Sequence, residues 1–456
     1  MPELCELTEP DARRHRRTDG LRKPACHADQ VRTTQELPDR IRYRVALRVL
    51  PYVFLLYVVA FLDRVNVSYA ALGLAREPWF NPEVLGFGAG IFFIGYVLLE
   101  VPSTIVVERW SARKWMARIM ISWGLIASSM GFVHSAHGFY ALRFLLGVGE
   151  AGFFPGMIVY LSHWFTDRDR AKAFSLFYIA VPFSYVIGAP LSGLFLRVHW
   201  FGLEGWRWIF IVEGIPALVL GVLNLWLLTD WPRDAGWLEP RDREALQAAI
   251  DAERQGKPSH LPVLEYAKHR AVVVLMVIYF LAVCGSYGFG IWLPTMLKQF
   301  SGLADFQITL LAALPYLVSL VCVLIGAWSS DRSGDRRWHT AVPLFVMAAG
   351  LSIGSVWHVS TLGWLMFGFC LVGAGVYTFI PSFWSLPGRH LSGVAAAVSV
   401  ELINSIGNLG GFVGPYLMGW LQSTTHSFAV GMGVLLAFQV AAGLLVFALK
   451  PAPSST

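Results

Sequence analysis

After residue 46 the chain runs through one apolar stretch of roughly 20 residues after another, almost to its end. Such a stretch is the length a helix needs to cross a bilayer, at 1.5 Å rise per residue. Twelve can be placed, near 47–72, 85–108, 114–134, 138–161, 171–197, 207–229, 271–298, 306–329, 340–358, 362–384, 393–421 and 428–449, numbered here as spans 1 to 12. Helix is the expected conformation throughout, because an open strand in lipid leaves backbone N–H and C=O groups unpaired. The internal glycines and prolines do not argue against this, since neighbouring helices can cover the freed backbone groups.

Composition points the same way. Of 456 residues, 55% are apolar and 14% charged, where a soluble chain carries about 25% charged residues. A globule of this size cannot bury that much apolar surface, which argues against a soluble enzyme, a nucleic-acid-binding domain and a disordered scaffold. The net charge of +6 is a matter of topology, not of nucleic acid. One alternating set of loops, with the N-terminal tail, Arg389 and Lys450, holds 29 of the 36 Lys and Arg residues, and the other set (Arg76, Arg197, Arg207, Lys298) holds 4. The positive-inside rule assigns the first set and both termini to the cytoplasm; termini on one side require an even number of spans.

The polar, Arg-rich segment 1–46 reads as a disordered cytoplasmic tail, with no apolar core for a signal peptide, and 451–456 as a second short tail. The charged stretch 230–270, expected to be helical from Pro240 to Glu253, separates six-span halves at 47–229 and 271–450. A repeat relates the halves. The loop after span 2 carries Glu108-Arg109 and then Arg113-Lys114; the loop after span 8 carries Asp331-Arg332 and then Arg336-Arg337. Duplicated halves are common in secondary transporters.

Four ionisable residues stand deep in apolar sequence: Asp63 and Arg64 in span 1, Arg143 and Glu150 in span 4. Each costs about 2.5–3.5 kcal/mol at mid-membrane, so each needs a partner or a watery cavity. Arg143 and Glu150, seven residues apart, share one helix face; Asp63 and Arg64, being adjacent, project about 100° apart, so that one can face a cavity while the other faces a neighbouring helix. A planar guanidinium that keeps its proton suits a carboxylate guest. A carboxyl beside it, Glu150 or Asp63, suits a coupling proton whose binding the guest's arrival can change. The plainer alternative is a static ion pair that only ties spans 1 and 4 together.

Several strings resemble a known family. The span 8–9 loop, Gly326 to Arg337, is similar to the loop signature of the major facilitator superfamily with one residue inserted, and the span 2–3 loop is a degenerate copy. Phe61-Leu-Asp63-Arg64-Val-Asn66, Arg143-Phe-Leu-Leu-Gly147-Val-Gly149-Glu150-Ala-Gly-Phe-Phe-Pro155-Gly156 and Gly205-Trp206-Arg207-Trp208-Ile-Phe210-Ile-Val-Glu213-Gly214 resemble the anion:cation symporters of that superfamily, especially bacterial tartrate, phthalate and hydroxyphenylacetate permeases. The resemblance covers about 45–450. It implies an all-α membrane protein of twelve helices in two pseudo-symmetric halves, working as a monomer in the bacterial inner membrane, importing an organic acid anion with protons by alternating access. It also implies that Arg64, Arg143 and Tyr96 bind substrate, with Tyr287, Trp384 (beside Ser382) and Asn404 as further candidates; that Asp63 and Glu150 carry protons; and that Glu108, Arg109, Arg113, Asp331, Arg332 and Arg336 form a cytoplasmic gate. Sugar-acid permeases of the family often carry Tyr where this chain has Phe61, which favours a less hydroxylated guest. An exchanger or exporter, or a transporter-like sensor, are the rival readings.

Other signals carry no chemistry. Gly147-Val-Gly149-Glu-Ala-Gly152 spells a dinucleotide fingerprint but lies in an apolar helix without a strand before it. Gly256-Lys257 lacks the upstream glycine of a phosphate loop. The five cysteines form no CxxC pair and the histidines show no ligand spacing, so no metal or cofactor is expected.

Overall fold

The computed structural model describes residues 37–254, 268–355, 361–391 and 394–449. Most of the N-terminal tail, part of the linker, Lys450 and 451–456 lie outside the described residues.

Span 1 is Asp39–Leu74, span 2 Pro82–Arg109, span 3 Ala112–Ser129. Span 4 is broken into Ala136–Glu150 and Phe153–Ser162, and span 5 into Asp167–Tyr178 and Ala180–Phe195. Span 6 is Gly205–Leu227, span 7 Arg270–Ser301, span 8 Asp305–Ser333 and span 9 Arg336–Ser355. Span 10 begins as Leu362–Val376 and continues in short turns at Ile380–Phe383 and Pro387–His390. Span 11 is Val394–Asn408 with Gly410–Thr425, and span 12 Phe428–Ala448. Among the described residues ten of these are long and apolar enough to cross a membrane by themselves; spans 3 and 11 complete the twelve. Polar caps start several: Asn81, Ser111 and Ser135 each accept the backbone N–H three residues on.

Span 1 begins eight residues before the expected boundary, so 39–46 are helix and not tail. The cause is ionic. Arg40 pairs with Asp242 at 2.9 Å, Arg44 with Glu239 at 3.3 Å, and Arg42 with Asp169. The first two partners belong to the linker, whose helix runs Pro240–Arg254. The far end of that helix receives the backbone N–H of Asp167 on Glu253, so the linker is pinned to spans 1 and 5.

The packing repeats with a shift of six. In the first half, span 3 packs on 6, span 2 on 4, and span 1 on 5 and 6; in the second, span 9 packs on 12, span 8 on 10, and span 7 on 11 and 12. The halves meet through spans 2 and 11, 5 and 8, and 1 and 7, which is the same pairing read from either side. Twofold pseudo-symmetry about an axis between spans 1 and 7 follows from these pairs.

Glycines set the close approaches. A Cβ on Gly147 would lie 1.9 Å from the Phe92 carbonyl oxygen, and one on Gly95 2.3 Å from that of Phe144, so spans 2 and 4 touch backbone to backbone. Gly414 meets the Cys284 carbonyl the same way. Across the halves, Gly86 abuts Pro415 and Gly419, and Gly193 abuts Thr309. Both contacts, with the Arg76–Asp305 ion pair at 2.5 Å, lie at the end of the bundle away from the basic loops. The halves are therefore drawn together at that far end.

Candidate functional site

Between the halves lies a cavity of about 50 Å³. One water needs about 10–15 Å³ measured this way, so the side chains as they stand leave room for a few waters. Six tyrosines and three phenylalanines line it, with Ser286, Asn404 and Asn408 supplying amides and a hydroxyl. Among the described lining residues Arg64 alone carries a full charge.

Arg64 is held through its two terminal nitrogens, while its Nε is buried without a partner. One guanidinium nitrogen donates to Glu150 in span 4, and another donates to the Tyr287 hydroxyl in span 7 at 3.3 Å. Its guanidinium carbon lies 4.9 Å from the Phe61 ring centre, 5.4 Å from Phe92 and 5.3 Å from Tyr96, close enough for cation–π attraction. Two half-molecules thus meet at one cation.

Glu150 ends the first part of span 4. Gly152 follows at φ +81, a left-handed conformation that breaks the helix, and a Cβ there would run into Ser103 of span 2. The carboxyl spends one oxygen on Arg64; the other is buried without a hydrogen-bond partner. Arg143 does not reach the cavity wall. It is 1% exposed, donates Nε to the Gly88 carbonyl at 3.1 Å, and lies 5.0 Å from the same Phe92 ring that Arg64 covers. Its Nη1 has no partner. The Phe92 ring therefore sits by both guanidiniums, with Arg64 on the cavity and Arg143 behind it.

Asp63 turns away from Arg64, as adjacency on a helix requires, and accepts from the Trp123 indole at 2.6 Å. It too is absent from the cavity wall. Tyr96 and Tyr287 line the cavity; Trp384 stands behind it, edge-on to Tyr279 at 4.9 Å. Ser382 bonds to Ser330 in span 8 at 2.9 Å. Asn404 lines the cavity and donates at 2.6 Å to Glu100.

Glu100 was not singled out by the sequence reading, although it lies in an apolar run of span 2 and is fully buried. Glu213 of span 6, read only as part of a motif, is buried as well and accepts from Ser192 at 2.7 Å. The signal that finds both is the one that found Asp63 and Glu150: an acid inside a spanning stretch.

The bonds that the proposed gate residues make reach no residue of the opposite half. Asp331 pairs with Arg336 at 2.7 Å, Arg336 also donates to Ser330, and Arg332 covers Trp328. The backbone N–H of Arg113 donates to Asp230, and Glu108 and Arg109 are exposed. Among the described residues no ion pair joins the span 2–3 loop to the span 8–9 loop.

Residues 53–415 match the Major Facilitator Superfamily. The chain belongs to that superfamily. Membership makes it a multi-pass membrane transporter by family, and not an enzyme. An Agrobacterium vitis protein named "Putative tartrate transporter" is 42% identical over 91% of this chain and 96% of its own length. A quinolone resistance transporter of Acinetobacter baumannii is 36% identical over 89% and 94%. A bacterial homologue of the human lysosomal transporter Spinster, solved inward-facing and occupied, has a TM-score of 0.71 at 15% identity over 88% of this chain and 96% of that one. The last likeness concerns the fold alone, and it agrees with the twelve-helix superfamily architecture.

Proposed function

We propose that this transporter moves a small organic carboxylate anion of the tartrate type into the cell, together with protons, by alternating access between its two halves in a bacterial inner membrane. One observation carries the reading: the cavity between the halves offers a single full charge, the Arg64 guanidinium, and no carboxylate on its described wall. A fixed cation in an aromatic chamber selects an anion, and a planar fork selects a carboxylate. The tartrate-named relative supports the substrate class.

The proton follows from what the anion displaces. Glu150 shares Arg64 with the incoming guest. As the guest's carboxylate takes the guanidinium, Glu150 loses the cation that favours its charged form, and it takes a proton. Anion and proton then cross together. Asp63, bonded to Trp123 behind the wall, serves as a second carrier, and Arg143 keeps the field around Glu150 positive. Arg and Lys crowd the loops at one end, which supports placing that end and both termini in the cytoplasm. There Glu108, Arg109 and Arg113 act with Asp331, Arg332 and Arg336 as a gate, unmade in this arrangement.

Purified protein in liposomes, loaded with buffer at pH 7.5 and diluted into labelled tartrate at pH 5.5, tests the reading. Uptake above equilibrium that an uncoupler abolishes is expected. Preference for a neutral sugar over every carboxylate offered would overturn the anion assignment. A second reading, export of an aromatic acid, is favoured by the nine aromatic rings of the lining and by the quinolone resistance relative. Labelled quinolone leaving pre-loaded liposomes against a gradient would select it.

A further inference from the structure

Two buried acids, Glu100 and Glu213, have no part in the cycle described so far, and Glu100 is the one at the boundary between the halves. Glu100 is fully buried in span 2, one helical turn beyond Tyr96 towards the basic loops. Both its oxygens are engaged across the half-to-half boundary: Oε1 accepts from Asn404 Nδ2 at 2.6 Å and Oε2 accepts from Ser405 Oγ at 3.4 Å. Span 2 belongs to the first half and span 11 to the second. A carboxyl used only for packing would be expected to bond within its own half, as Glu213 does with Ser192. Asn404 also faces the cavity, so its amide is shared between the guest's chamber and this acid.

We propose that Glu100 is a further proton-bearing carboxyl of the cycle, beside Glu150 and Asp63, and a positioning residue that clasps the halves together on the basic-loop side of the cavity and lets go when protonated. It rests on the transport reading only in assuming a cycle of opening and closing. Ionised, Glu100 makes charge-assisted bonds, roughly twice as strong as neutral ones, and its buried charge has only donors from span 11 to satisfy it. Protonated, it needs those donors far less, and span 2 can part from span 11. The release also frees the Asn404 amide to turn to a carboxylate in the cavity.

The groups that face Glu100 set the pH at which this happens. The charged groups that face it are Arg64 from span 1 and Glu401 from span 11, and Tyr96 of span 2 and Tyr279 of span 7 stand near it. A guest that neutralises Arg64 therefore favours protonation at Glu100 as well as at Glu150. Binding on one side of the cavity thus loosens the clasp on the other.

Opening can be read without substrate. Ser286 lines the cavity; in a background with the five native cysteines replaced by alanine, Ser286→Cys reports solvent entry through its rate of labelling by a membrane-impermeant thiol reagent. Glu100→Gln, a permanently neutral side chain, is expected to label at least fivefold faster than the parent at pH 8, with the difference vanishing at pH 5.5. Glu100→Asp should restore a pH-dependent difference. Asn404→Leu removes the main donor and should label fast at both pH values, with Glu100→Gln adding nothing to it. Equal rates for parent and Glu100→Gln at pH 8, or a Glu100→Gln effect of the same size at both pH values, would overturn the proposal. Should Glu100→Gln fail to fold, the Asn404→Leu and Glu100→Asp pair decides alone: Asn404→Leu slow at pH 8, or Glu100→Asp without pH response, overturns it. Because no substrate enters the measurement, failure of tartrate uptake would leave this result standing, and the reverse.

Discussion

Arg64 and Glu150 share a bond that cannot serve both the resting protein and a bound anion. In the proposed cycle the Glu150 oxygen that bonds Arg64 is the competitor a guest carboxylate has to beat, and the orphaned second oxygen leaves that acid under-satisfied. Glu150→Gln keeps the shape but cannot gain or lose a proton. Uptake against a gradient should fall to background while tartrate-for-tartrate exchange across the same liposomes persists; accumulation by Glu150→Gln would remove it as carrier. Arg64→Lys keeps the charge and loses the fork, and should weaken tartrate binding at least tenfold by calorimetry, about 1.4 kcal/mol. Arg143→Lys should abolish concentrative uptake through Glu150 and leave the cavity wall unchanged. The sequence exposed these residues because a charge in an apolar run has few explanations. It did not show that Arg143 lies behind Phe92 while Arg64 lies on the cavity, since both are one residue type on neighbouring helices and only packing separates them. Nor did it show that Trp384 backs Tyr279, since an aromatic near a cavity reads alike whether it lines the wall or stands behind it.

Spans as elements were legible from length and hydropathy alone; their interruptions were not. Span 4 breaks at Ala151–Gly152, span 10 after Val376 and span 11 near Leu409. Glycine and proline occur in nearly every span, so their presence does not say which helices open. The break in span 4 falls beside Glu150, and broken helices at the level of a binding site are a recurring transporter device. The unbroken stretch before it depends on close packing. Gly147 has the Phe92 carbonyl where a Cβ would go, and backbone cannot step aside. Gly147→Ala should therefore cost about 1–3 kcal/mol as overpacking, seen as a lower melting temperature in detergent by a thiol-reactive dye. Gly363→Ala, with nothing within 4 Å of its Cβ position, is the matched control and should melt like the parent. Equal melting of the two variants would mean that the span 2–4 contact is looser than this geometry.

At the scale of the whole molecule, the packing pairs of the second half are those of the first with six added to each span number. The repeat seen in two loops is therefore a repeat of architecture, and the interface between halves inherits its symmetry: span 2 on 11 mirrors span 8 on 5. What sequence could not supply is the relative tilt of the halves, because the alternating access proposed above would ask one chain to adopt two tilts with similar energies. In this arrangement the tilt closes the far end, where Gly86 meets the Pro415 carbonyl and the Gly419 Cα with 2.7 and 3.1 Å to a would-be Cβ. Those are backbone atoms of the opposite half, so a side chain there can be relieved only by moving the halves apart. Gly86→Leu should hold the far end open and, by the rocking of one half on the other, close the basic-loop end. At pH 5.5, where the Glu100 clasp is released, labelling of Ser286→Cys should then be slow from the basic-loop side and fast from the opposite side, the reverse of the parent at that pH, and tartrate exchange should fall more than tenfold while the purified protein stays monodisperse. Unchanged sidedness in a folded Gly86→Leu protein would show that the far-end seal is not what sets the tilt, and would move that role to the Arg76–Asp305 pair or to the span 5–8 contact at Gly193.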